Sequence, residues 1–218
     1  MKRLLLILTF NVVCGILSYA QTSVFSYEED GTIKTKSVFL DPIDTNPNKT
    51  ASCPLIKEVS LSMSSFKYSV KLKGYEGWEN EPGDYHVIEI LCNGRSIFEM
   101  RYDDGWNYFY LAKDYIKSSN TPFKELNLSS DCKALVFTGI TIGSQPPFTT
   151  IVLLRNGKAT LVYNKEGYIN DMETTGNVVK LKLQLNTVEY HDDHIPYNTA
   201  ELAELEFKNG MIYYKEMR

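Results

Sequence analysis

From Val59 onward the apolar residues of this chain recur at every second position rather than every third or fourth. Leu61 and Met63 alternate with serines, and after a phase slip at Ser64-Ser65 the residues Phe66, Tyr68, Val70 and Leu72 alternate with Lys and Ser. Val179, Leu181, Leu183 and Leu185 alternate in the same way with Lys180, Lys182, Gln184 and Asn186. A period of two places successive side chains on opposite faces of an extended backbone, so these segments predict half-buried strands. The slip is what a bulge or a turn produces.

The punctuation agrees with the period. Asn93-Gly94, Asn156-Gly157 and Asn209-Gly210 each separate two apolar runs. A two-residue hairpin loop needs positive φ at both central positions, which Asn and Gly tolerate best. The fold expected is therefore all-β: mainly antiparallel hairpins in sandwich- or propeller-like sheets, with at most one or two short helices. The single helical pattern is Tyr108, Leu111, Ala112, Tyr115 and Ile116, whose spacing predicts a helix over 108–118. A strand over 106–111 competes with it. The irregular intervals between the three Asn-Gly turns argue against a strict repeat.

The first twenty residues read as a leader. Lys2-Arg3 precede an apolar run from Leu4 to about Leu17, and Ser18 and Ala20 fill the small positions before Gln21. That layout predicts a signal peptide over 1–20, cleaved after Ala20. The run is shorter than the roughly 20 apolar residues that span a bilayer. Cys14 lies inside it behind Val12-Val13, which does not suit lipidation. The chain is expected in the periplasm or outside the cell, with no membrane span after cleavage. Residues 21–52 are polar and read as an extended N-terminal arm, with a hairpin near Asp30-Gly31. Residues 53–218 form the β-rich remainder, either as one domain or as two packed halves, 53–125 and 131–218, with the seam in the polar stretch 118–130.

Losing Lys2 and Arg3 leaves 21 basic residues against 27 acidic ones. A chain so charged, with no basic run, has no electrostatic footprint for nucleic acid. Cys53, Cys92 and Cys132 would remain, an odd number. Cys92 falls within an apolar strand and reads as a buried thiol. Cys53 and Cys132 open structured blocks and are the candidates for a disulfide. The sequence has no C-x-x-C pattern, and no cofactor is called for.

Residues 134–171 carry Thr138-Gly139-Ile140-Thr141-Ile142-Gly143, Pro146-Pro147-Phe148 and Leu153-Leu154-Arg155-Asn156-Gly157-Lys158-Ala159. This stretch resembles exported β-rich proteins of Bacteroides-like bacteria, and its Asn156-Gly157 hairpin resembles one blade of propeller-like repeat proteins. The likeness covers under a third of the chain and rests on turn chemistry. It lacks the Asp-x-Asp-x-Asp-Gly calcium loops of many such blades. It implies bacterial export and a β fold, and no activity.

Two clusters carry chemistry. Between Tyr75 and Tyr115 lie ten aromatic residues, including both tryptophans, Trp78 and Trp106, interleaved with Glu76, Glu79, Glu81, Asp84, Asp103 and Asp104. Aromatic faces suit a sugar ring, and carboxylates accept its hydroxyl hydrogens. Tyr75, Trp78, Trp106, Asp103 and Asp104 are thus candidate ligand contacts, set against the plainer reading that aromatics fill a core. The second cluster is His191, Asp193 and His194, residues able to ligate zinc if a turn gathers them, though a solvated loop explains them as well. The leading expectation is an exported non-enzymatic binding or interaction protein for a glycan or protein partner. A secreted hydrolase using a carboxylate pair or a metal is one alternative, and a structural or inhibitory envelope protein is another.

Overall fold

The computed structural model describes residues 21–43, 53–63, 65–75, 83–112, 120–139, 148–190 and 196–217, with the side chains of 186–201 outside that description. Its strands, in chain order, are β1 (Thr22–Ser23), β2 (Phe25–Tyr27), β3 (Ile33–Thr35), β4 (Leu55–Met63), β5 (Phe66–Lys73), β6 (Tyr85–Cys92), β7 (Arg95–Asn107) and β8 (Lys124–Ser129). They continue as β9 (Cys132–Gly139), β10 (Phe148–Arg155), β11 (Lys158–Glu166), β12 (Tyr168–Thr175), β13 (Val178–Tyr190), β14 (Pro196–Lys208) and β15 (Met211–Met217). One 3-10 turn, Ser37–Phe39, interrupts the pattern. The protein is all-β, and the named strands pair antiparallel throughout.

All three Asn-Gly pairs sit at hairpin tips with positive φ at both residues, 48° and 80°, 49° and 74°, and 50° and 75°. They close β6–β7, β10–β11 and β14–β15. Two large sheets result, ordered β11-β10-β9-β7-β6-β5-β4 (with β8 also on β9) and β1-β15-β14-β13-β12, beside a two-stranded one, β2-β3. The larger sheet is nearly two. β7 and β9 pair only at Trp106 with Gly139 and Asn107 with Thr138, so the β4–β7 part folds back over one face of β8–β11.

The side chains confirm three layers. In β9 and β10, Ala134, Val136, Ile151 and Leu153 point into a first core with Leu181, Leu183, Ala203 and Leu205 of β13 and β14. Their neighbours Leu135, Phe137, Val152 and Leu154 point into a second core with Tyr68, Val70, Leu72, Ile88 and Ile90 of β5 and β6. A strand buried on both faces needs a continuous apolar run rather than an alternating one, and β9 and β10 have it. β13 is covered on one face and alternates. Its outer Lys180 and Lys182 pair with Glu204 and Glu173.

Residues 21–43 are more than an extended arm. Val24 and Phe25 are fully buried and Phe39 nearly so, all in the first core. β1 pairs with β15, and β2–β3 is the hairpin expected near Asp30-Gly31. Residues on both sides of the expected seam share the second core. Residues 108–111 form an irregular link rather than a helix, β7 ends at Asn107, and 113–119 lie outside the described residues. No helix among the described residues is long and apolar enough to cross a membrane. The expected leader, 1–20, also lies outside them.

Candidate functional site

In β6 the alternation breaks. Tyr85 and Ile88, three residues apart, both face the second core, which leaves His86 and Val87 together on the opposite side of the layer. The partner strand is irregular at the same point, since Tyr85 pairs with Trp106 but Val87 with Arg101. Two glycines make this bulge possible. A Cβ on Gly105 (φ +79°) would stand 2.7 Å from the Tyr85 carbonyl oxygen, and one on Gly83 (φ +88°) would stand 2.7 Å from that of Asp104. The backbones therefore pass where no side chain fits. The Asp84 amide donates to the Trp106 carbonyl at 2.8 Å, and the Asp84 carboxylate accepts from the Tyr108 amide at 2.7 Å. Bulges re-aim side chains, and this one turns an imidazole away from the core.

What it turns toward is a small cluster. The Tyr75 ring stacks on His86 with centroids 5.1 Å apart. Its hydroxyl donates to Asp103 Oδ1 at 3.3 Å. Burial, then the Asp103 charge, pushes the Tyr75 phenol up to about 12, so it stays a neutral donor. Beside it Arg101 donates from Nε to Glu99 at 2.9 Å and from Nη1 toward Cys53 Sγ at 3.7 Å. The Glu99 bond holds the guanidinium pKa above its ordinary value. Cross-strand register extends the cluster over the outer face. One row runs Leu55, Lys73, Val87, Arg101 and the next Glu58, Lys71, Glu89, Glu99. Lys73 pairs with Glu89 at 2.7 Å within it. At one end Leu55 and Ile56 are 53% and 48% exposed, and the Ile56 side chain lies against Gly74, next to Tyr75.

Of the residues singled out from the sequence, Tyr75 and Asp103 are brought together. Asp104 is directed elsewhere and accepts a hydrogen bond from Tyr102 at 3.2 Å. Trp106 is fully buried in the second core, stacked on Tyr85 and donating from Nε1 to Thr150 at 3.2 Å. It offers no face to a ligand, because the strand alternation that carries it inward also places Tyr85 and Tyr102 around it. Trp78, His191, Asp193 and His194 lie outside the described residues. The Cys53–Cys132 bridge is not formed. Cys53, Cys92 and Cys132 are free thiols, with Cys53 beside Arg101 and Cys132 buried in the first core. Sequence reading missed His86, Arg101 and Cys53 as neighbours of Tyr75. The signal for His86 was the three-residue interval from Tyr85 to Ile88.

Two further polar places exist. A cleft of about 210 Å³ lies between the β2–β3 and β10–β11 turns, lined by Asp30, Thr32, Arg155, Asn156, Lys158 and Thr160 among others. Its Arg155 is already engaged: Nε meets Asp131 at 3.1 Å, Nη1 donates to the Gly31 carbonyl at 3.1 Å, and the guanidinium covers the Tyr27 ring. That arginine clamps residues 27–31 to the middle layer rather than waiting for an anion. Second, burial and then Asp41 raise the Glu166 carboxyl above its ordinary value, and Glu166 and Asp104 both act on Tyr102. Among the described residues no group of three or more His, Cys, Asp or Glu could hold a metal ion. Comparison of the chain with protein-family models, with curated proteins and with solved structures finds no match.

Proposed function

We propose that this is an exported, non-catalytic binding protein that contacts a protein partner through the outer face of β4–β7. Export rests on the leader pattern of residues 1–20. The observation that carries the binding surface is the exposed aliphatic pair Leu55 and Ile56 beside the Tyr75, His86 and Arg101 cluster. An exposed aliphatic pair with an arginine beside it and a charged surround is the composition of protein interfaces. A glycan platform is less well supported. The Tyr75 and His86 rings stack on each other at 6% and 4% exposure, and Trp106 is buried.

The test replaces Leu55 with a photo-crosslinking residue in cells that make the protein. A single adduct to another protein is expected, and Arg101→Glu in a chain that still folds should reduce it severalfold. No adduct, or one indifferent to Arg101, would refute the assignment. An adduct of twice the chain's own mass would instead report self-association.

A further inference from the structure

The sheet ends are not treated alike. At the β12 end a bulge between Ile169 and Asp171 disrupts the register, and Asp171 and Glu173 place charge on the strand. The β11 edge is covered where Leu40 bridges Asn164 and the Asp41 amide donates to the Asn164 carbonyl at 2.7 Å. The β15 edge is covered by β1, with Val24 adding a bond to Ile212. Each device blocks the unpaired N–H and C=O row that makes an edge strand adhesive. Among the described residues β4 has none from Val59 to Met63, while Lys57 before them reaches the Asn120 carbonyl and the Tyr108 ring. Among the described residues β4 pairs only with β5, and its single irregularity lies at Leu55–Lys57. From Val59 to Met63 it reads Val-Ser-Leu-Ser-Met, without charge or proline.

We propose that this edge pairs with the same edge of a second copy of the chain, antiparallel about a two-fold axis at Val59. The sequence of β4 fits itself in that register. Val59 meets Val59, Glu58 meets Ser60 and Lys57 meets Leu61, so no like charges stand opposite each other. Over these five residues inward-facing positions meet inward-facing ones, as a two-fold normal to the sheet requires, and the bulge at Leu55–Lys57 ends the match. The half-buried inner-face Val59 and Leu61, which pack on the second core, gain cover from the copy. A single strand pair is a small interface, so the dimer is weak.

Sedimentation of the purified protein from about 1 to 500 µM tests this. Ser60 is exposed on the outer face opposite Ser69 of its own sheet, so charges there are tolerated by the monomer, and circular dichroism checks the fold. Ser60→Glu faces Glu58 of the copy twice by symmetry and should weaken the dimer by about fivefold or more. Ser60→Lys should tighten it by about as much. Thr175→Glu, on the exposed end of β12, should change nothing. A chain that stays monomeric throughout overturns the proposal. So does a dimer that responds to neither Ser60 variant, or to both in the same direction.

Discussion

Thr150 is one of two threonines buried side by side in β10, and its replacement by valine tests what its hydroxyl does. The Trp106 indole N–H donates to Thr150 Oγ1 at 3.2 Å, the Thr150 hydroxyl donates to Asn164 Oδ1 at 2.7 Å, and Asn164 Nδ2 donates to the Asp41 carbonyl at 2.8 Å. Trp106 and Thr150 are fully buried and Asn164 is 1% exposed. The chain of bonds thus runs from β7 through β10 and β11 to the N-terminal segment, buried as far as Asn164. Thr150→Val keeps the volume and removes the one atom that serves as both acceptor and donor. It strands an indole N–H and an amide oxygen, each at about 1–3 kcal/mol, so the variant should lose roughly 2–6 kcal/mol.

Urea unfolding with linear extrapolation reads that loss directly, and for a chain of this size it corresponds to a fall in melting temperature of roughly 5–15 °C. Thr150→Ser keeps the hydroxyl and should cost only about 1 kcal/mol for the lost methyl group. In a Trp106→Phe background the stranded donor is gone, so adding Thr150→Val should cost clearly less than it does alone. If Thr150→Val costs under about 1 kcal/mol, or no more than Thr150→Ser, the hydroxyl is not the junction described and the reasoning fails.

Three other outcomes follow from the same geometry. In guanidinium Cys53, Cys92 and Cys132 should all titrate as free thiols, whereas a Cys53–Cys132 bridge would leave only Cys92. In the native protein Cys53 should react first, since Cys92 and Cys132 are buried and burial pushes the Cys132 thiol up to about 11. Glu166→Gln should raise stability at neutral pH, because the folded state holds this carboxyl above its ordinary value and so disfavours the ionised form. The gain should shrink as the pH falls through the raised value and vanish below the ordinary glutamate value, where both states are protonated; a gain that persists in acid would be a packing effect. Gly105→Ala should cost at least about 2 kcal/mol in chemical unfolding, from positive φ plus the clash with the Tyr85 carbonyl. Gly94→Ala, at φ +80° with nothing within 4 Å, should cost only about 1 kcal/mol, so equal costs would deny the close approach at the bulge.

What could be read from the sequence is what local rules control. The Asn-Gly turns and the alternation in β5 and β13 depend on each residue's own preferences and on a single covered face. Their reading survives unchanged. The runs Ala134–Phe137 and Ile151–Leu154 are continuously apolar, but nothing local says that they form a middle layer or which neighbours cover which face. The aromatic cluster was harder. Trp106 and Tyr75 both sit among acids and glycines in the sequence, but only the phase of the surrounding strand decides that one faces a core and the other an outer face. That phase changes at a bulge, whose cause is a contact between Gly83 and Gly105, 22 positions apart. The tie that holds 21–43 to the body is similarly non-local, since it needs Arg155 to reach Tyr27 and Gly31.

The two proposed surfaces constrain each other through the geometry of the β4–β7 layer. A two-fold axis normal to a sheet leaves the same face of both copies on the same side. Pairing at Val59 therefore sets two outer faces, each with its Leu55, Ile56 and Arg101, side by side on one continuous sheet. A partner with two matching sites would then engage both copies, and its apparent affinity would rise with protein concentration as the dimer forms. Monovalent binding through the same face would keep one affinity at every protein concentration. The concentration dependence of the apparent affinity thus separates the surfaces: a constant affinity assigns recognition to the face alone, and one that rises as the dimer forms assigns part of it to the shared edge.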